Sequence, residues 1–259
     1  MTYAIFDIET RIDKALVKSV YAPKEEISDR QAYERLRSER VTETGSDFLP
    51  ISFHVPVSIA VGIVNADGVL INVETLCADD YSEEAIVRDF WERVERFNGT
   101  LVSFNGRNFD LPVLELHALR YGCPAPRYFN QRFGHRYRYS EDGHYDLYDF
   151  IGNHGVNRIR GGFDLLCKLI GLRGKGDIDG SMVQDLWEQG RLAEIHEYCR
   201  QDVIQTYFLL LRVELMRGRI DQGRYEAAWA ATERFREQLE ALPPPDPNGA
   251  TGSGEPESS

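Results

Sequence analysis

Tyr3-Ala4-Ile5-Phe6-Asp7-Ile8-Glu9-Thr10 is an apolar run that ends in two acids. Residues 3–8 are short and apolar enough for a strand buried on both faces. Side chains two apart in a strand point to the same side, so Asp7 and Glu9 project together from its end. Acids are also common where a strand runs out into solvent, and the octet alone does not choose between the two readings.

The following residues break the pattern. Residues 25–40 are dense in both charge signs, with Ile27, Ala32, Tyr33 and Leu36 as their few apolar points, and read as an exposed helix or excursion within 11–50. Residues 55–64 and 69–76 are β-rich runs around the turn Asn65-Ala66-Asp67-Gly68, a hairpin signal. Residues 82–97 predict a helix: Ser82 caps it, Glu83 and Glu84 favour the positive end of its dipole, and Ile86, Val87, Phe90, Trp91 and Val94 form one apolar face. A short strand over 100–104 and a helix over about 110–121 follow. Residues 123–162 are irregular, aromatic and basic. Three helices are expected near 163–170, 181–190 and 191–217, the last with Leu192, Ile195, Cys199, Val203, Leu210 and Val213 at helical spacing. A further helix spans about 221–241. The Pro-, Gly- and Ser-rich remainder, 243–259, has too little apolar surface to offset the entropy of ordering and is expected to be disordered. The order of elements indicates an α/β sandwich with a mixed sheet.

The 259 residues allow one large domain or two small ones, and 42% hydrophobic with 28% charged residues is ordinary for a globular protein. No apolar run approaches the roughly 20 residues of a membrane span, and the N-terminus lacks the pattern of a signal peptide. Cys77, Cys123, Cys167 and Cys199 form no CxxC pair, which suits reduced thiols and a cytoplasmic setting. A formal charge of −12 argues against a nonspecific nucleic-acid coat. Residues 127–175, however, carry nine Lys/Arg against five Asp/Glu, a local balance of +4.

Two further acids stand in informative contexts. Asp110 closes Asn105-Gly106-Arg107-Asn108-Phe109-Asp110, after the fourth strand and at a helix start. A helix cap is the bland reading, but a cap does not require Asn105, Gly106 and Phe109 in a tight turn. Tyr198 and Asp202 are four apart on the long helix and so share a face; a solvated Asp beside a half-buried Tyr is the bland alternative. If three elements bring these acids together, electrostatics limits the outcome. Two carboxylates about 4 Å apart repel by about 4 kcal/mol at an effective dielectric of 20. Such a cluster takes up protons or binds cations, and all-oxygen ligation favours Mg²⁺ or Mn²⁺ over zinc.

The three motifs resemble a known family. Asp7-x-Glu9-Thr10, Asn105-x-x-x-Phe109-Asp110 and Tyr198-x-x-x-Asp202 look like the exonuclease motifs of the DEDD superfamily. The histidine branch would need His at 197, where Glu197 stands, so the tyrosine branch matches. The chain resembles the predicted 3′–5′ exonucleases related to the proofreading domain of family B DNA polymerases. The resemblance extends over 163–171, 174–183 and 198–212 and covers most of 1–217. It implies a ribonuclease H-like fold with a five-stranded mixed sheet. It further implies two Mg²⁺ or Mn²⁺ ions held by Asp7, Glu9, Asp110 and Asp202, and release of nucleoside 5′-monophosphates. Tyr198 is implied to position the attacking water, since a phenol of pKa near 10 is a poor base at neutral pH. The expected unit is an exonuclease domain over 1–242 with 11–50 as a charged insertion of unassigned role.

Thr10, Asn105 and Phe109, beside the acids, are expected to contact substrate. Residues 127–139 interleave arginines with aromatics and contain no acid, a composition suited to single-stranded nucleic acid and equally to a loop packing its rings on the body. On the first reading Arg136, Arg138 and Lys175 contact the strand. In His144-Tyr145-Asp146-Leu147-Tyr148-Asp149, a helix-capping Asp146 or Asp149 is preferred to extra metal ligands. Residues 171–176 fail the Walker spacing, and no GxSxG or HExxH occurs. The expected substrate is a single-stranded DNA 3′ end, with a DNA polymerase or repair protein as partner and no membrane. RNA 3′-end trimming, an RNase H-like endonuclease and a catalytically silent nucleic-acid-binding subunit are the alternatives.

Overall fold

The computed structural model describes residues 2–77, 81–130, 134–138, 142–172 and 180–240, with side chains through 237. The chain runs β1 (Tyr3–Ile12), α1 (Lys14–Tyr21), α2 (Asp29–Thr44), β2 (His54–Val64), β3 (Leu70–Thr75), α3 (Glu83–Arg96), β4 (Thr100–Ser103), α4 (Asp110–Tyr121), β5 (His144–Asp146), α5 (Leu147–Ile151), α6 (Gly162–Leu169), α7 (Val183–Glu188), α8 (Leu192–Met216) and α9 (Gln222–Glu240). The five strands form an open sheet in the order β3-β2-β1-β4-β5. β1 pairs antiparallel with β2, and β2 with β3, whereas β4 lies parallel to β1 and β5 parallel to β4. This is the mixed sheet flanked by helices that the sequence predicts.

Alternation along β1 divides the core in two. Tyr3 and Ile5 pack with Val203, Tyr207 and Phe208 of α8, while Ala4, Phe6 and Ile8 pack with α3 and α4. The same period carries Asp7 and Glu9 onto the α8 side. Ser82 caps α3, accepting from the Ala85 N–H, and all five apolar residues expected on the inner face of α3 are buried. On the other side Gly62 of β2 lets α8 approach: a Cβ there would sit 2.7 Å from Val203 Cγ1.

Four local expectations change. β1 continues to Ile12, past a register shift between Glu9 and Thr10. A strand of three residues, His144–Asp146, lies inside the stretch read as irregular. α1 was not anticipated. The excursion is not merely exposed: Ile12, Val17, Ala32, Tyr33, Leu36, Leu49 and Phe53 bury one another in a small core of their own. The Ser28–Gln31 capping box fixes the start of α2. The tail over 243–259 lies outside the described residues. No helix among the described residues is long and apolar enough to cross a membrane.

Gly62→Ala should force β2 and α8 apart. Urea denaturation is expected to show a loss of about 1–3 kcal/mol, the usual cost of overpacking a filled core.

Candidate active site

The end of β1 and the middle of α8 meet at the acids. Cys199 and Val203 are buried in the core beneath α8, and this fixes the helix rotation so that Tyr198 and Asp202, four residues apart, both face β1. One carboxylate oxygen each from Asp7, Glu9 and Asp202 lies within 4.8 Å of the others. The Cys199 thiol donates to the Asp7 carbonyl at 3.3 Å and approaches its Oδ2 at 3.7 Å. The Tyr198 phenol lies close enough to the Asp202 carboxylate to feel its charge.

Asp110 arrives from the opposite side. It is the first residue of α4, and the helix has no side-chain cap; its Oδ1 instead accepts the Ile8 N–H at 3.2 Å. The bland reading of Asp110 as a cap therefore fails. The turn before it is tight: Asn105 has φ +65°, and a Cβ on Gly106 would lie 2.3 Å from Ser103 Oγ. Asp110 stands outside the Asp7–Glu9–Asp202 triple but lines the same cleft as Asp7 and Asp202, a cavity of about 500 Å³.

Burial and mutual repulsion reset the chemistry of these acids. Burial first, then the charges of Asp110, Asp202 and Glu9, raise the Asp7 pKa well above the ordinary carboxylate range. Burial raises Asp110 to about 7 against its own helical N–H and the Ile8 N–H, which act the other way; Asp146 and Asp202 add to the rise. Burial and the three neighbouring carboxylates push the Tyr198 phenol far above its ordinary value, so its proton is held for donation. Desolvation raises the Cys199 thiol in the same direction. A cluster of oxygen donors this reluctant to ionise fits a hard divalent cation, which restores the charged form by supplying the missing positive charge.

The remaining candidates fall into three groups. Thr10, Asn105 and Phe109 surround the acids. His54 Nε2 faces the Leu49 carbonyl at 3.2 Å, so its Nδ1 accepts from Thr10 Oγ1 at 2.8 Å; burial lowers this imidazole to about 4 and keeps it neutral. Asn105 lines the acidic cleft. Phe109 lines both that cleft and a neighbouring cavity of about 390 Å³ that reaches Glu9 and Thr10. Arg136 and Arg138 form the second group, at a further cavity that meets the acidic cleft at Asn108. Both are ion-paired, Arg136 with Glu115 at 2.9 Å and Arg138 with Asp149 at 2.8 Å. Lys175 lies outside the described residues. Asp146 caps α5, in line with expectation, through the N–H groups of Tyr148 and Asp149.

Sequence reasoning missed Phe48. It is 52% exposed, stacks on His54 with centroids 4.9 Å apart, meets Phe109 edge-on, and lines both cavities beside the acids. Its one signal in the sequence is an aromatic among polar residues at the return of the excursion. The excursion thus builds part of the cleft wall.

Comparison with known proteins identifies the family and the fold. Residues 46–242 match the family described as predicted 3′–5′ exonuclease related to the exonuclease domain of PolB. Among solved structures the chain is similar to the family B DNA polymerase from the hyperthermophilic archaeon Pyrobaculum calidifontis. The TM-score is 0.51, with 19% identity over 83% of this chain and 24% of that one, so the chain spans about a quarter of that polymerase. No curated protein matches. The fold and the acidic cleft define a metal-dependent nuclease with a ribonuclease H-like architecture. The chain belongs to the predicted 3′–5′ exonuclease family related to the PolB exonuclease domain. Asp7 and Glu9 precede the matched residues, and the sheet brings them to the rest of the site.

The raised acids give a sign for pH dependence. Between the ordinary carboxylate range and about 7, the native protein binds more protons at Asp7 and Asp110 than the unfolded chain does. Stability of the metal-free protein contributed by these groups should therefore fall as pH rises through that window. Asp110→Asn should flatten the slope. Mn²⁺ competes with those protons and should raise the Tm more at about pH 8 than at about pH 5.5. Differential scanning calorimetry across pH, with and without Mn²⁺, checks both.

Proposed function

We propose that the chain is a 3′–5′ exonuclease acting on single-stranded DNA 3′ ends and releasing nucleoside 5′-monophosphates. The observation that supports this reading best is the gathering of Asp7, Glu9 and Asp202 in one cluster, Glu9 and Asp202 buried and Asp7 partly so, with Asp110 across the same cleft. On this reading the four carboxylates hold two Mg²⁺ or Mn²⁺ ions. Such ions, when bound, supply a more acidic water and charge stabilisation at the leaving oxygen.

The protein's own groups are assigned around that chemistry. Asp7 and Asp110 bind in their ionised forms, against the pull of burial. Tyr198 keeps its proton, orients the attacking water as a donor and accepts no proton at neutral pH. Phe48 and Phe109 offer ring surfaces for bases, and Thr10 and Asn105 offer polar contacts beside them. Arg136 and Arg138, half-exposed beyond their ion pairs, reach for phosphates farther along the strand. Lys175 is assigned to the same strand contact from sequence.

DNA is favoured as substrate because the family is related to the exonuclease domain of a DNA polymerase. Residues 1–242 would act as one domain, in the cytoplasm, with a polymerase or repair protein as partner.

Digestion of 3′-labelled single-stranded DNA and RNA in Mg²⁺ or Mn²⁺ tests the reading. Wild-type protein is expected to release labelled mononucleotide from DNA at once and from RNA more slowly. Asp7→Ala and Asp202→Ala should each lose on the order of 10³-fold in rate, equivalent to several kcal/mol of transition-state stabilisation. Tyr198→Phe should retain Mn²⁺ binding and lose rate without moving the alkaline limb of the pH profile. Internal cuts, faster RNA digestion, or full activity in the alanine variants would each refute the corresponding part.

A further inference from the structure

We propose that Asp146 is a positioning residue for Asp110: its carboxylate clamps the turn 105–107 to the end of β5 and thereby sets Asp110 in the cleft. The proposal rests on the metal-dependent reading of the acidic cluster and adds a residue that touches none of the reacting atoms.

Asp146 is 3% exposed and ends β5, directly opposite Ser103, the last residue of β4. Its Oδ1 accepts the N–H groups of Asn105 at 2.9 Å, Tyr148 at 3.0 Å and Asp149 at 3.2 Å, and its Oδ2 accepts that of Arg107 at 2.9 Å. A helix cap needs the two donors from α5 alone. The other two come from a turn about forty residues earlier in the chain, so one carboxylate ties two elements together.

That turn is costly to hold. Asn105 sits in the left-handed region, which a side-chain-bearing residue adopts against steric resistance. Gly106 packs so closely on Ser103 that no Cβ fits. The Gly106 carbonyl then accepts the Leu111 N–H at 2.8 Å, coupling the turn to the first turn of α4, where Asp110 stands. Arg107 adds a second tie through its guanidinium to the His144 carbonyl.

Charge shows why a carboxylate is needed here. A buried anion near the acidic cluster is unfavourable, and Asp146 adds to the rise of Asp110. A neutral side chain would avoid that cost. An Asn in its place has one acceptor oxygen and turns an amide N–H₂ towards a backbone N–H, and a Ser reaches α5 but does not span to Arg107. Two acceptor oxygens on one short side chain are what the four N–H groups require.

The test is Mn²⁺ titration by calorimetry on wild type, Asp146→Asn, Asp146→Ser, Asp7→Ala and Ser82→Ala, with circular dichroism for folding and kcat and KM on single-stranded DNA. Asp146→Ser keeps a capping oxygen for α5 and loses the clamp. Ser82→Ala loses a helix cap on α3, away from the cleft, and serves as the control for stability alone. Asp146→Asn and Asp146→Ser are expected to bind Mn²⁺ about 10–100-fold more weakly, the range for residues that support metal ligands. Their kcat should fall by more than KM for DNA rises, since releasing the turn moves Asn105 but leaves Thr10, Phe48, Arg136 and Arg138 in place. Ser82→Ala should keep wild-type Mn²⁺ affinity and kcat.

Wild-type Mn²⁺ affinity in folded Asp146→Asn and Asp146→Ser would overturn the clamp and leave the metal reading intact. If Asp146→Asn does not fold, Asp146→Ser decides. An equal loss in Ser82→Ala would also overturn it, because destabilisation alone would then explain the effect. Failure of the wild type itself to bind Mn²⁺, or binding unaffected by Asp7→Ala, removes the metal reading and the clamp with it.

Discussion

Like charges in a dry place repel strongly, and the cleft between β1, α4 and α8 concentrates carboxylates where little water reaches them. The surrounding structure offsets this only in part. Cys199 gives Asp7 a weak thiol donor, Ile8 gives Asp110 a single N–H, and the Tyr198 phenol lies beside Asp202. None of these carries a positive charge. The remaining imbalance appears as protons held by Asp7 and Asp110 well above the ordinary range. Keeping such groups together therefore depends on a core strong enough to fix α8 against β1 and β2. Gly62, Val203, Cys199 and the aromatic residues Tyr207 and Phe208 provide that core.

Much of this was legible in the sequence, for identifiable reasons. The alternation of residues 3–9 placed Asp7 and Glu9 on one face, and the i, i+4 spacing did the same for Tyr198 and Asp202. Strong periodicity and the Ser82 cap announced α3, and the length of α8 gave many repeats to read. β5 was invisible because three residues are too few to show a period of two, and the acids and glycine just before them read as a turn. The extension of β1 was hidden by the register shift at Glu9/Thr10, which breaks the alternation. The excursion looked solvated because its apolar residues are sparse. They nevertheless suffice for a small core, since α1, α2 and the segment through Phe53 pool them. Phe48 had only the signal of an aromatic at the return of the excursion, as its position beside His54 and Phe109 exists only in three dimensions.

The basic strip shows a different limit. Counting charge within a window of sequence credits residues 127–175 with a balance of +4. In the fold Glu115 of α4 comes from outside the window to pair with Arg136, and Glu95 of α3 accepts the Arg127 and Tyr128 N–H groups. Inside the window Asp149 takes Arg138. A linear count omits acids supplied by other elements, so it overstates the field that a nucleic-acid strand would meet.

That correction bears on how an acidic protein engages a polyanion. With a net charge of −12 on the chain, Arg136 and Arg138, already ion-paired, offer little unbalanced positive charge to draw in a phosphate. The acidic cluster would repel one outright. On the proposed function the same divalent cations resolve both conflicts, restoring ionised carboxylates and presenting positive charge where the scissile phosphate must lie. Substrate and cation are then coupled through electrostatics. The carboxylates are costly when empty, and each cation they take up also turns the cleft from repelling a phosphate towards accepting it.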